Sequence, residues 1–489
     1  MIHSQCNFFL RYSEIRLFDE VSEDNNMENK LRASKAAVIC YGFGDLASQF
    51  VWTFVGSYLT IFYTDIVGLT PLAVSAIMII ARIWDAVNDP MMGAIAERTK
   101  SKWGRFRPYI AFGCPFLAIF SILTFTNPFG GSSKAGVIWA AAMYIAAGMI
   151  YTLTNIPYGA LAAVMSEDSN QRNQINTSRN IGMNAGMAIV NALSPVLLLA
   201  FSAKGAEVAD ARGYLGTVIV YGIISVPLFL IVFFTSRENV KPLASTMNRK
   251  ITFKETIRNL VTNKYLMIIS AVMVVQMTAF MGRIAVCAFW VIYDLGSFTM
   301  ISLIMTLPTL LGIVGSLFVP PIAKKIGKRN VLMYSMAVQV IGLLVMFFAP
   351  YNNMPMVILG DVIFGLFNVG MPMSLSMVAD SVDYMEEKTG VRTDGTAYAT
   401  YGLATKIGNA IGGAAGVVIM GAFGYVANSQ QTPAAQRGIN ITVNLIPAIL
   451  YIVACLLCLL WNMSDKDADG IRERLMARHA AEDSGKTMQ

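Results

Sequence analysis

Long apolar stretches alternate with short polar ones along the chain, and that repeat predicts its architecture. A helix needs about 20 mainly apolar residues to cross about 30 Å of hydrocarbon. Stretches of this kind lie at 36–63, 71–97, 108–127, 136–165, 175–202, 213–235, 264–292, 298–323, 329–350, 354–384, 394–427 and 438–463. The longest either run past the bilayer or tilt within it. The expectation is an all-α, polytopic membrane protein with twelve transmembrane helices in two six-helix bundles. Its parts would be a disordered cytoplasmic segment (1–35), a first bundle (36–235), a cytoplasmic linker (236–263), a second bundle (264–463) and a cytoplasmic tail (464–489). Within the linker, Ile251 to Leu260 reads as an amphipathic surface helix.

The polar gaps are not alike. The loop after the second span carries Arg98, Lys100, Lys102, Arg105 and Arg107; the one after the eighth carries Lys324, Lys325, Lys328 and Arg329. The linker is also basic, whereas the loops of the other side hold only Lys134, Lys204, Arg212 and Arg437. Basic loops stay in the cytoplasm, so both termini are expected there, with the protein multi-pass in the cell (inner) membrane. Lys102-Trp103-Gly104-Arg105-Phe106-Arg107 and Lys325-Ile326-Gly327-Lys328-Arg329 occupy the same place in each half, which is expected of two related halves rocking about a central site.

Composition agrees. Of 489 residues, 14% are charged and 55% hydrophobic, against about 25% charged in soluble domains. The net charge of +7 is spread over loops rather than gathered in a patch, which argues against nucleic-acid binding. Cys455 and Cys458 form a CxxC, but in an apolar run with no basic neighbour, so they read as structural. With only His3 and His479, both near the termini, no histidine-based active site is expected. No nucleophile–base pair, metal-ligand cluster or phosphate loop stands out, so no enzyme is expected. The N-terminus lacks a signal-peptide pattern, and Met27 is an alternative start.

Charges inside apolar spans cost at least about 2.5–3.5 kcal/mol and therefore need a partner or a function. The candidates are Asp45, Arg82, Asp85, Asp89, Arg179, Arg283, Asp361 and Lys406. Asp85 and Asp89 are four residues apart and share a helix face, with Asn88 nearby. Two adjacent carboxylates repel unless they share a proton or a cation. Hard oxygen ligands suit Na⁺, and Pro90 disturbs the local helix. The competing reading is a pair of salt bridges, to Arg82 or to another helix. Lys406, deep in the eleventh span, is expected to meet the acidic cluster across the halves rather than snorkel. Gly408, Gly412, Gly413 and Gly416 would let helices approach closely. Asp380, Asp383 and Glu386, with Arg392, form either a gate bridging to basic loops or a solvated helix end.

Several ordered motifs carry a family resemblance: Tyr41 to Gly44, Tyr63 to Leu69, Arg82 to Pro90, Lys102 to Pro108, Met377 to Tyr384 and the helix around Lys406. Over about 36–463 the chain resembles the glycoside–pentoside–hexuronide:cation symporters, the melibiose-carrier branch of the major facilitator superfamily. The resemblance implies the major facilitator fold, alternating access, and a cation site at Asp85, Asn88, Asp89 and Thr152, with Na⁺ held at Asp85 and Asp89. It implies substrate contacts at Arg179 and Lys406. Where melibiose carriers place aspartates, this chain has Gln49 and Asn155, and Gly159 replaces a tryptophan. These departures, with Asp45 and Asn155-Ile156-Pro157-Tyr158-Gly159, look more like the pentoside, xyloside and glucuronide members. Asp45, Gln49, Asn155, Arg179, Arg283 and Lys406 are therefore the expected substrate contacts. The expected activity is Na⁺- or H⁺-coupled sugar symport by a functional monomer, with no cofactor beyond the coupling ion. The alternative is an uncoupled facilitator or a carrier of a non-sugar such as a lysolipid.

Overall fold

Several helices start where a short polar side chain can accept from the otherwise unpaired N–H groups of the first turn. Ser34, Thr70, Ser133, Asp210, Asn263, Asn353 and Thr432 do so here. The computed structural model describes residues 32–131, 133–166, 168–239, 262–368, 370–390 and 394–486. The segment before Met27, the Ile251 to Leu260 helix and Arg392 lie outside these residues.

The first half comprises α1 (Lys35–Ile61), α2 (Pro71–Arg98), α3 (Arg107–Thr124), α4 (Lys134–Met165), α5 (Ser169–Phe201) and α6 (Ala211–Thr235). The second comprises α7 (Lys264–Phe289), α8 (Met300–Ile326), α9 (Lys328–Phe348), α10 (Met354–Leu366), α11 (Gly370–Thr389), α12 (Asp394–Ala422), α13 (Pro433–Asn440) and α14 (Ile446–Cys458). A further helix, α15 (Asp465–Lys486), follows the last crossing. Among the described residues, 11 helices are long and apolar enough to cross a membrane, and Met354–Leu366 is a shorter apolar helix. A π-helical turn at Ile441–Leu445 joins α13 and α14 into a single crossing. The tenth span, expected as one helix over 354–384, is instead two, α10 and α11. Pro372 has no N–H to donate back to residue 368, so a continuous helix would lack a bond there.

The two halves repeat each other in detail. Both α1 and α7 end in π-helical turns, Phe62–Val67 and Trp290–Asp294. Each turn is followed by a glycine at positive φ, Gly68 at 82° and Gly296 at 67°. Gly408, Gly412 and Gly416 face α7, where an added Cβ would crowd the Val274, Thr278 and Gly282 carbonyls. Gly413 departs from the expectation, since a Cβ there would meet nothing within 4 Å. Between the halves, Ser75 Oγ donates to the Ala414 carbonyl at 2.6 Å. Asn191 Nδ2 donates to the Met305 carbonyl at 3.1 Å and Ser302 Oγ to the Ala192 carbonyl at 2.7 Å. Cys455 and Cys458 are free thiols.

The loop between α2 and α3 is fixed by a residue far along the chain. The Glu238 carboxylate accepts from the backbone N–H of Arg105 (3.0 Å) and Phe106 (2.8 Å) and lies 3.8 Å from the Arg105 guanidinium. Backbone donors that would otherwise be unpaired beside a helix start are thereby satisfied.

Candidate functional site

A cavity of about 240 Å³ opens where the halves meet, walled by Trp52 of α1, by Arg82, Asp85 and Asp89 of α2, by Gly148, Tyr151, Thr152, Asn155 and Ile156 of α4, and by Lys406 and Asn409 of α12. The spacing 82, 85, 89 keeps three charged side chains of α2 on one face. Arg82 donates to Asp85 Oδ2 at 3.1 Å and to the Tyr144 hydroxyl at 3.2 Å. Its guanidinium lies 5.5 Å from the Trp52 ring centroid. Trp52 in turn stacks on Tyr151, with centroids 4.3 Å apart and planes 20° apart.

Asp89 is shared between the halves. Its Oδ1 accepts from the Thr152 hydroxyl at 2.8 Å. Its Oδ2 accepts from the Lys406 ammonium, which reaches across from a helix 317 residues away. The side chains of Asp85 and Asp89 are only 19% and 14% exposed, whereas that of Lys406 is 48% exposed. Both carboxylates are therefore ion-paired, as the salt-bridge reading of the sequence anticipated, and Lys406 meets Asp89 rather than snorkelling. Two cations and two carboxylates leave the cavity neutral. The carboxylate oxygens and the Thr152 hydroxyl are hard oxygen donors, the set that suits an alkali cation or a proton. Among the described residues no cluster of three or more His, Cys, Asp or Glu side chains has the form of a metal site.

The remaining expected residues are placed unevenly. Asn155 is a cavity wall and donates to Ser48 Oγ at 3.1 Å. Asn88 is 2% exposed with its amide nitrogen unpartnered, and it is not a wall. Gln49 accepts from Thr53 on its own helix at 2.6 Å. Asp45 and Arg179 pair with each other at 2.8 Å in the seam between α1 and α5. There Arg179 lies over the Tyr158 ring, and Tyr158 donates to the Tyr41 carbonyl at 2.6 Å. Neither member of that pair is a cavity wall. Arg283 departs furthest from its expected place. It is 4% exposed, bonds Asp361 at 2.8 Å and lies over Phe364 inside the second half. An arginine within an apolar helix is stabilised by a buried carboxylate, and Asp361 on α10 supplies it.

The acidic residues of α11 also find partners within the second half. Asp380 accepts from Lys328 at 2.6 Å and from Arg472 of α15 at 3.2 Å, and Asp383 lies 3.5 Å from Arg472. Glu386 is buried. At the opposite end of the bundle, the structure shows a junction that sequence reasoning missed. Asp65 accepts from the hydroxyls of Tyr293 and Tyr425, and its backbone carbonyl accepts from the Asn428 side chain. One half supplies the acceptors and the other the donors. The available signal was a carboxylate at the end of the first apolar span. Trp52, Tyr151 and Asn409 were missed as well, because aromatic and amide residues in apolar helices carry no distinguishing pattern.

Comparison with known proteins places this geometry in context. A family model described as MFS/sugar transport protein matches residues 40–465. The uncharacterized symporter YnaJ of Bacillus subtilis (strain 168) is 31% identical over 441 residues, covering 90% of this chain and 94% of the relative. The isoprimeverose transporter of Lactiplantibacillus pentosus is 29% identical, covering 91% of this chain and 92% of the relative. Among solved structures, a D-xylose-proton symporter superposes with a TM-score of 0.62 at 15% identity, covering 88% of this chain and 97% of that one.

Proposed function

The chain belongs to the MFS/sugar transport protein family, and we propose that it is a cation-coupled sugar symporter working by alternating access. It is a multi-pass membrane transporter, not an enzyme. The observation that carries the coupling proposal is Asp89, held by Thr152 from its own half and by Lys406 from the other. An entering Na⁺ or proton would neutralise Asp89 in place of the Lys406 ammonium, while Arg82 continues to offset Asp85. Lys406 would then be free to bond the sugar beside it. Coupling follows if the halves exchange sides readily only when both ligands, or neither, are in place.

In this reading the sugar is a glycoside, pentoside or hexuronide bound near Asn155 and Lys406, with Asp45, Gln49 and Arg179 supporting the seam behind the cavity. The cation site comprises Asp85, Asp89 and Thr152, with Asn88 behind them. The protein sits in the cell membrane as a monomer with both termini cytoplasmic and the five-part division 1–35, 36–235, 236–263, 264–463 and 464–489. That orientation places the Asp65 junction on the outside and the Asp380, Asp383, Glu386 and Arg392 gate on the inside. The described state is then closed outside.

The test is uptake into proteoliposomes of xylosides, glucuronides, galactosides and free pentoses, under an inward Na⁺ gradient and then a proton gradient. Accumulation of one class under one gradient is expected and names both substrate and ion. Saturable exchange that ignores both gradients would sink the coupling and leave a facilitator.

A further inference from the structure

The π-helical turns that end α1 and α7 each carry an aspartate, Asp65 in Phe62–Val67 and Asp294 in Trp290–Asp294. Their surroundings are opposite. Asp65 accepts from the Thr64 hydroxyl at 2.6 Å and from Tyr293 and Tyr425 of the other half. Asp294 is 7% exposed, and neither of its carboxylate oxygens has a hydrogen-bond partner or appreciable accessible surface. Enclosing an ionised carboxylate without a counter-charge is so costly that such a group takes a proton instead. A metal ion needs several oxygen ligands around it and a water needs surface to touch. A proton needs neither.

No neighbouring element supplies a counter-charge. Tyr293, on the same turn, is committed to Asp65. Two turns back on α7 lies Cys287, a free thiol. Helix α13 rests on the turn through Gln436, whose side-chain nitrogen donates to the Tyr293 carbonyl at 3.3 Å. The one charged residue of α13, Arg437, is exposed and makes no bond to Asp294. From the loop between α9 and α10 the titratable group that faces Asp294 is Tyr351. The first two turns of α8, Met300 to Thr306, hold no titratable residue. Asp294 is thus an enclosed, unpaired acid, and the residue before it is a donor in the Asp65 junction. Parting the halves there pulls on the turn that encloses it.

We propose that Asp294 is a proton-binding site: its carboxyl holds a proton while the outer end is closed and releases it to the outer water when that end opens. This rests on the reading that the Asp65 junction faces outward. The O–H bond forms on closing with a proton from the outer water and breaks on opening, returning the proton to the same side. The proton is not carried across, so this site is separate in place and purpose from the one at Asp85 and Asp89. An aspartate in water is ionised above about pH 4. The closed state then binds one proton more than the open state, so acid outside favours closure. The open fraction rises with pH by at most about tenfold per unit.

The test uses the full chain in right-side-out vesicles and an impermeant maleimide, with labelling of the parent chain subtracted. Ser75→Cys reports opening and Lys204→Cys, in the exposed loop between α5 and α6, reports thiol reactivity. The ratio of their rates removes the pH dependence of the thiol. From about pH 5.5 to about pH 7.5 that ratio should rise about tenfold or more. With Asp294→Asn it should stay low and within about twofold, and Asp294→Glu should restore the slope. Infrared spectra of purified protein in an ester-free detergent give a second reading. At about pH 7, where exposed carboxyls are ionised, wild type should show a protonated-carboxyl band that shifts in D₂O and that Asp294→Asn lacks. A flat ratio in wild type, an unchanged slope in Asp294→Asn, or identical infrared bands in the two overturns the proposal. If Lys204→Cys is not labelled from outside, the orientation is wrong and this inference goes with it. Labelling at Lys204→Cys with a flat Ser75→Cys ratio removes this inference alone.

Discussion

Asp89→Asn separates the cation from the sugar. The substitution keeps the shape of the side chain, and the remaining amide oxygen can still accept from Thr152. It removes the charge that Lys406 pairs with and one of two carboxylates in the proposed cation site. A unit charge pair at about 4 Å is worth about 4 kcal/mol at an effective dielectric constant of 20. Losing one such interaction weakens cation binding by about three decades, at 1.4 kcal/mol per decade. Lys406 also loses its partner, but its side chain is 48% exposed, so water compensates for much of that loss. The variant is expected to fold, to exchange sugar across the membrane without a gradient, and to have lost Na⁺- or H⁺-driven accumulation. The assay compares counterflow with gradient-driven uptake in the same proteoliposomes. Gradient-driven accumulation with a cation half-saturation within about threefold of wild type would refute the electrostatic reasoning.

Three further outcomes are expected. Asp65→Ala removes the acceptor shared by Tyr293 and Tyr425; hydrogen bonds to a charged group contribute about 1.5–3 kcal/mol each. Labelling of a cysteine introduced at the buried Ser75 by an impermeant maleimide should therefore rise about tenfold or more, and an unchanged rate would show that the junction does not hold that end closed. Gly148→Ala would place a Cβ 3.3 Å from Asp85 Oδ1, and Gly148→Val would crowd it further. Cation half-saturation should rise stepwise through the two variants, and a flat series would place the cation elsewhere. Glu238→Ala leaves the N–H groups of Arg105 and Phe106 without their acceptor and should cost about 1–3 kcal/mol, read as a lower midpoint in thermal unfolding of the detergent-purified protein.

The sequence by itself determined what a bilayer imposes on any chain. Helices must be long and apolar, so the spans were legible from hydropathy, and a charge among them is costly enough to stand out. Asp85, Asp89 and Lys406 were found that way, and all three do line the cavity. The break between α10 and α11 was harder to see, because hydropathy continues through it while the backbone does not. Which charge answers which was decided only by the tertiary structure. Lys406 bonds Asp89 across 317 residues, whereas Arg283, equally conspicuous in an apolar helix, is neutralised by Asp361 and never reaches the cavity. Helical periodicity says which face a residue shares with its neighbours but not what that face meets. Trp52, Asn409 and the Asp65 junction depend on helices far apart in sequence coming together, and only the packing of the two halves brings them there.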